Sequence, residues 1–242
     1  MSAASTPGQS TKPVTPIVFV VDDDVSVRES LELLICSQGW QAETFVSAKE
    51  FLARPTAPAP SCLVLDVSLP GLNGLELQKR VAVERTAMPI IFITGYGNVP
   101  MSVEAMKAGA VEFLTKPLSK DVLVSAIRNA LDRSRMALND EAEVQTLRGR
   151  YESLTPRERE VMTLVISGLL NKQVGGELGI CENTVKYHRA QAMQKMKADS
   201  LADLVRMAAT LGLTAAAKST TGTRLTPSHE PLEGRKTLSQ RR

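Results

Sequence analysis

The chain has 242 residues, an apolar fraction of 43% and a formal net charge of +3, which suffices for more than one core of ordinary domain size. No apolar run reaches the roughly 20 residues that cross a bilayer, and the N-terminus lacks the order of a signal peptide, so we expect a cytoplasmic protein without a membrane partner. The three widely spaced cysteines, Cys36, Cys62 and Cys181, argue against a disulfide or zinc framework.

Residues 16–135 alternate two hydrophobic periodicities. Helical patterns separate five short stretches, several of them nearly all apolar, that predict strands. This alternation predicts an α/β fold, a doubly wound sheet of five parallel strands. The predicted strands are residues 17–21, 41–45, 62–66, 89–94 and 110–114, and the predicted helices are residues 25–39, 47–53, 74–84, 99–109 and 120–134.

Polar side chains stand at the carboxyl ends of these strands. Asp22 and Asp23 follow the first strand, Asp66 ends the third, Thr94 ends the fourth and Lys116 follows the fifth. In a doubly wound sheet these ends border one crevice. Three carboxylates without a counter-charge raise one another's pKa, and a hard divalent cation resolves that conflict. Mg²⁺ fits better than Ca²⁺ because it takes one or two carboxylates and keeps several waters.

The motifs VVDDD, VLDVSLPGLNGLEL, IFITGYG and FLTKP occur in the order and at the spacing of one family. Residues 16–135 resemble the receiver domain of two-component response regulators, which has a flavodoxin-like fold. The resemblance implies that a sensor histidine kinase phosphorylates Asp66. It also implies that Asp22, Asp23 and Asp66 hold Mg²⁺.

The same resemblance implies a switch. Lys116 would pair with the aspartyl phosphate, Thr94 would donate its hydroxyl to it, and a cis peptide would precede Pro117. Phe113 matches the aromatic side chain whose rotamer follows Thr94. Phosphorylation would then change the surface of the fourth helix and fifth strand, through which a homodimer would form.

Three other classes of protein share parts of this pattern. A phosphohydrolase resembling the haloacid dehalogenase family would carry a second Asp two residues after its nucleophile, where this chain has Ser68, so we expect no enzyme. An autoinducer-binding regulator would need an apolar ligand pocket, for which 4% aromatic residues give little material. A regulator that works without phosphorylation stays open.

The second half of the chain has a different composition. Residues 136–152 are charged and free of Pro, which predicts a helical linker. Thr155, Pro156 and Glu158 then predict a strong helix start, opening a small all-α domain at residues 153–212. Residues 154–242 hold 14 basic and 8 acidic side chains, which is compatible with a nucleic-acid partner.

The stretch LTPREREVMTLVISGLLNKQVGGELGICENTVKYHRAQAMQKMKADSLADLV resembles the DNA-binding domain of the LuxR family. The resemblance implies four helices, of which the middle two form a helix-turn-helix with residues 181–197 as recognition helix and double-stranded DNA as partner. Val185, His188, Ala192 and Met196 recur at helical spacing and predict its buried stripe.

The opposite face of this helix carries Asn183, Lys186, Tyr187 and Ala190. Lys186 is expected to contact a base edge, and Lys172, Arg189 and Lys195 are expected to contact phosphates. His188 is expected to pack or to contact a phosphate rather than a base. The whole predicted DNA-binding set is Lys172, Asn183, Thr184, Lys186, Tyr187, His188, Arg189 and Lys195.

Some residues depart from the LuxR pattern. Gly175 and Gly176 predict a weakened helix, at roughly 1 kcal/mol each relative to Ala. Cys181 predicts a recognition helix without a good N-cap. Residues 1–15 and the basic residues 213–242 are predicted to be disordered. Taken together, the chain resembles response regulators of the FixJ/NarL type, for which RNA polymerase is a further candidate partner.

Overall fold

The computed structural model describes residues 14–95 and 99–213. These described residues divide between Gly149 and Arg150 into two compact units, each with its own core. The predicted disordered tails fall outside the described residues except at their inner ends. None of the helices in the described ranges combines the length and the apolarity that a membrane span requires.

The first unit is built on a five-stranded sheet in which every pair of neighbouring strands is parallel. The order β2-β1-β3-β4-β5 confirms the predicted doubly wound α/β fold. All residues of β1, β3 and β4 are buried, as expected for strands that are covered on both faces. The strands are β1 (Ile17–Val21), β2 (Gln41–Phe45), β3 (Ser61–Asp66), β4 (Ile90–Thr94) and β5 (Glu112–Thr115).

Five helices cover the two faces of this sheet. Side chains alternate along β1, so that Phe19 packs into the core under α2, α3 and α4, whereas Val18 packs into the core under α1 and α5. The helices are α1 (Val25–Ser37), α2 (Ala48–Ala53), α3 (Gly74–Glu84), α4 (Val99–Lys107) and α5 (Lys120–Glu152).

The α5 helix runs without a break through residues 136–152, which confirms the predicted helical linker, because nothing between residues 135 and 152 ends it. At the start of α2, Ser47 and Glu50 form only half of a capping box. Ser47 accepts from the Glu50 backbone N–H, but the Glu50 carboxylate accepts from Val46, one residue before the N-cap.

The second unit is a bundle of four helices after the end of α5, namely α6 (Pro156–Ile166), α7 (Asn171–Leu178), α8 (Glu182–Met196) and α9 (Leu201–Thr210). The predicted capping box at the start of α6 is complete, since Thr155 and Glu158 each accept from the other's backbone N–H. Met162, Ala192 and Leu204 lie in the core of the bundle, while Val174 and Val185 join α7 to α8.

The two glycines of α7 differ in their surroundings. A Cβ atom built on Gly175 would lie 2.7 Å from the carbonyl oxygen of Ile180, in the turn between α7 and α8. Ile180 also donates its backbone N–H to the carbonyl oxygen of Gly175 at 3.0 Å. Gly176 has open space around it. Close packing therefore requires glycine at position 175, which helix propensity alone does not indicate. At Gly176 nothing in the packing requires glycine, so a cost in helix propensity is still expected there.

Candidate functional sites

The carboxyl ends of β1 and β3 bring three carboxylates together. Asp22 and Asp66 are buried, Asp23 is exposed, and one oxygen atom from each lies within 4.8 Å of the other two. Lys116 follows β5 and places its Nζ atom 2.8 Å from Asp22 Oδ2 and 3.0 Å from Asp66 Oδ2. The structure therefore brings the four predicted charged residues into one crevice.

Backbone groups hold the two buried carboxylates in place. Asp22 Oδ1 accepts from the Asp24 N–H at 2.9 Å, and Asp66 Oδ1 accepts from the Ser68 N–H at 3.0 Å. Arg28, on α1, donates to the carbonyl oxygen of Asp22 at 2.7 Å. Each carboxylate thus has one oxygen on the backbone and the other on Lys116, which fixes its orientation.

Burial and ion pairing act in opposite directions in this crevice. Burial raises the pKa of Asp22 above its ordinary value, although the hydrogen bond from Lys116 partly offsets this. Burial lowers the pKa of Lys116, but its hydrogen bonds to Asp22 and Asp66 outweigh this, so that the net pKa is raised. Lys116 therefore remains a cation near neutral pH.

The remaining predicted residues of the first unit lie on β4, on β5 and directly after β5. Thr94 is buried at the end of β4, and its carbonyl oxygen accepts from the Lys116 N–H at 2.8 Å. Phe113 is half-buried on β5, with its ring centroid 6.1 Å from that of Phe92. The peptide bond between Lys116 and Pro117 is cis, as the resemblance implied.

Sequence reasoning missed the role of Gly74 beside the crevice. A Cβ atom on Gly74 would lie 2.6 Å from the carbonyl oxygen of Asp66 and 3.1 Å from the Phe92 ring. Glycine therefore lets the start of α3 approach the end of β3. The Asn73 N-cap before it, which accepts from the Glu76 N–H, could have indicated the helix start but not the close approach.

The acidic crevice suits a small hard cation. Its three carboxylate groups supply oxygen ligands at a spacing that one ion can bridge, and Mg²⁺ prefers such ligands. Asp23 is exposed and carries no ion pair among the described residues, so it is the carboxylate best placed to hold an ion beside solvent. The donor set therefore fits the predicted Mg²⁺ site.

The second unit presents the recognition helix as predicted. Val185, Ala192 and Met196 are buried on one side of α8, and His188 is partly buried on the same stripe. Tyr187 is 60% exposed on the other side, where Asn183 and Lys186 are also exposed. The two faces of α8 are therefore separated in the way that a helix docked in a groove requires.

The start of α8 is capped weakly. Cys181 occupies the N-cap and makes no side-chain cap hydrogen bond, which confirms the predicted loss. Its Sγ atom lies 3.1 Å from the Thr184 hydroxyl, and this hydrogen bond lowers the pKa of the thiol. Thr184, in the first turn of α8, therefore has its hydroxyl group hydrogen-bonded to Cys181.

The cationic side chains around α8 differ in their partners. Lys186 pairs with Glu182 at 3.0 Å, but both are well exposed, so the pair is weak. Arg189 donates to Asn171 on α7, and Lys172 is exposed. Lys195 lies 2.7 Å from the buried Glu158, so the structure favours an internal role for it over the predicted phosphate contact.

Two family models match the chain in these two units. The response regulator receiver domain matches residues 18–128, and the luxR family of bacterial regulatory proteins matches residues 152–208. The chain belongs to the response regulators. It is a regulator with a phosphorylation-switched receiver domain and a LuxR-type DNA-binding domain, the class that the sequence predicted.

Several response regulators are similar to this one over most of their length. Nodulation protein W of Bradyrhizobium diazoefficiens is 50% identical over 199 residues, which cover 82% of this chain and 88% of that protein. The transcriptional regulatory protein FixJ of the same organism is 42% identical over 81% of this chain and 96% of its own. The solved structure of the response regulator StyR matches with a TM-score of 0.72 at 46% identity, over 81% and 99% of the two chains.

Proposed function

We propose that this response regulator controls transcription by binding DNA after a sensor histidine kinase has phosphorylated Asp66. The observation that carries the proposal is the position of the Asp66 carboxylate. It ends β3 beside Asp22 and Asp23, and the Nζ atom of Lys116 lies 3.0 Å from Asp66 Oδ2. A carboxylate held this way is oriented for attack and has a cation ready for the added charge.

The transfer needs little covalent chemistry from the protein. One oxygen of Asp66 attacks the phosphorus of a phosphohistidine, the P–N bond breaks, and the electron pair of that bond stays on the histidine nitrogen. Lys116 then pairs with the phosphoryl group, and the Thr94 hydroxyl donates to it. Asp22, Asp23 and Asp66 would hold Mg²⁺, which would neutralise charge on the phosphoryl oxygens.

The switch that follows involves α4 and β5. Thr94 and Phe113 would move toward the phosphoryl group, and this movement would change the α4–β5 surface. On α4, Val99, Val103 and Met106 are exposed at a spacing that places them on one side of the helix. We propose that this apolar stripe is the contact through which phosphorylated chains form a homodimer.

A dimer would bring two recognition helices to the two half-sites of an operator. Lys186 would contact a base edge, with Asn183 and Tyr187 beside it, while Lys172 and Arg189 would contact phosphates. RNA polymerase would be the further partner of the DNA-bound dimer.

The first experiment tests the acceptor. The full chain is incubated with acetyl phosphate and Mg²⁺, and its intact mass is measured. The wild-type chain should gain one phosphoryl group, and Asp66→Asn should gain none because its amide cannot form the acyl phosphate. Asp23→Asn is the matched control, since it should still be labelled but should need more Mg²⁺. Labelling of Asp66→Asn at the wild-type level would assign the acceptor to another residue.

A further inference from the structure

Gln78 forms a buried link between α3 and α4. Its side chain is 2% exposed, and its Nε2 atom donates to the carbonyl oxygen of Ala105 at 3.0 Å, 27 residues along the chain. Among the described residues, the other polar contact between these helices joins Lys79 to Glu104 at 3.8 Å, with both side chains more than half exposed. Gln78 therefore provides the one buried polar connection between α3 and α4 in that part of the chain.

The carbonyl group that Gln78 holds lies at a junction. The oxygen of Ala105 also accepts from the Ala110 N–H at 3.1 Å, in the turn that leads from α4 to β5. One oxygen atom thus connects α3, α4 and the approach to β5. A change in the position of α4 relative to β5 must alter the hydrogen bonds at this oxygen.

The surroundings of Gln78 leave room for such a change. A cavity of about 480 Å³ lies beside it and is also lined by Ala82, Ala108, Gly109 and Val111. The turn after α4 therefore borders free space rather than close-packed side chains. This turn has room to move on the side of the cavity, whereas the hydrogen bond from Gln78 holds the Ala105 carbonyl group that precedes it.

Only the nitrogen end of the Gln78 amide is hydrogen-bonded among the described residues. The Oε1 atom of Gln78 is buried and has no hydrogen-bond partner among the described residues. A buried acceptor without a partner costs stability, which offsets what the Nε2 hydrogen bond contributes. If α4 shifted, water from the cavity could reach both ends of the amide. The net contribution of the link is therefore small, so that a modest change in free energy is enough to shift α4.

We propose that Gln78 is a positioning residue of the phosphorylation switch, which holds α4 against α3 and so sets the dimer population in the absence of phosphate. The inference rests on the proposed dimerisation through α4 and β5. The Gln78 link occurs in the same arrangement in which Asp66 accepts hydrogen bonds from Lys116 and from the Ser68 N–H.

The test uses Gln78→Met in the full chain, because methionine has a similar volume and removes the donor and the orphaned acceptor together. Sedimentation without acetyl phosphate should show an association constant raised by about fivefold or more, the usual scale of such couplings. The thermal unfolding midpoint should stay unchanged or rise. Lys79→Gln, which breaks only the exposed contact, is the matched control and should behave as wild type.

Hydrogen exchange gives a second measurement that does not need dimers. Peptides covering residues 99–110 should exchange faster in Gln78→Met, while peptides covering α2 should not change. A wild-type association constant in Gln78→Met, in a protein whose dimerisation does respond to acetyl phosphate, overturns the role of Gln78 and leaves the proposed function standing. Absence of any response in the wild-type chain overturns phosphorylation-driven dimerisation instead, and unchanged exchange over α4 then also rejects the Gln78 link.

Discussion

Gly175 and Gly176 stand side by side in α7, yet only one of them has space for a methyl group. Gly175→Ala should destabilise the DNA-binding unit by about 1–3 kcal/mol because the new Cβ meets the backbone carbonyl of Ile180, which cannot move cheaply. Gly176→Ala should stabilise it by about 0.5–1 kcal/mol through helix propensity. Urea unfolding followed by the methyl resonance of the buried Met162 measures both. A loss of equal size in the two variants would contradict the packing explanation.

Glu158 couples the start of α6 to the recognition helix. Burial raises the pKa of its carboxyl group, but the hydrogen bonds from Lys195 and the Thr155 N–H outweigh burial, and the net pKa is lowered. A lowered pKa means that this contribution to stability is complete above the ordinary carboxyl pKa of Glu. It is lost as the pH falls through the lowered value.

Glu158→Gln should therefore lower the free energy of unfolding by about 1–3 kcal/mol at neutral pH and flatten its decline in acid. Urea unfolding at a series of pH values measures this. The control is Glu160→Gln, which breaks the exposed pair with Arg157 and should cost less than about 0.5 kcal/mol. If both variants lost stability equally and at all pH values, the buried pair would have no special role.

At the scale of helices and strands, the hydrophobic pattern of the sequence was enough to predict most of the elements of the first unit. Strands β1 and β2 and helix α3 have the predicted bounds, because each is bordered by turn residues that end its pattern. Strand β5 begins at Glu112 rather than at Ala110, whose N–H is used by the turn from α4. That hydrogen bond joins parts of the fold that the local pattern does not describe.

Tertiary partners explain the remaining differences in the sites. The positions of four residues at the carboxyl ends of predicted strands were enough to place them together, because the carboxyl ends of parallel strands lie at one edge of the sheet. These residues are Asp22, Asp66, Thr94 and Lys116. For Lys195, by contrast, the sequence predicts a phosphate contact, whereas the structure shows an ion pair with Glu158. That partner lies 37 residues away along the chain and comes close only because α6 packs on α8. Partners at that distance cannot be predicted from spacing along one helix.

The exposed stripe on α4 can be tested as an element. Val103→Asp should weaken the dimer formed with acetyl phosphate by about tenfold, because a charge would be buried in an apolar contact. Val83→Asp on α3 is the control, since Val83 is also apolar and 80% exposed but lies on a different helix. Sedimentation of both variants with and without acetyl phosphate gives the answer. Intact mass must first show that both variants are phosphorylated to the same extent. Equal weakening of the dimer in both variants would then place the contact elsewhere.

At the scale of the whole molecule, the two units have opposite charge. Residues 16–135 hold 12 basic and 14 acidic side chains, whereas the second half is basic. The basic half is attracted to DNA in general, and this attraction weakens with salt. Specificity must come from the few side chains that the exposed face of α8 presents to base edges.

Lys186 and Lys172 separate these two contributions. Lys186 lies in the second turn of α8 beside the exposed Tyr187, whereas Lys172 lies at the start of α7. Lys186→Ala should therefore cost about 1–3 kcal/mol on a selected operator and little on a scrambled site, relaxing discrimination at one base pair. Lys172→Ala should weaken both sites alike and lower the salt slope by about one. Footprint titrations of phosphorylated full-length protein at two salt concentrations measure both effects. Equal losses on both sites for Lys186→Ala would make Lys186 a phosphate contact and leave Asn183 or Tyr187 to specify the base.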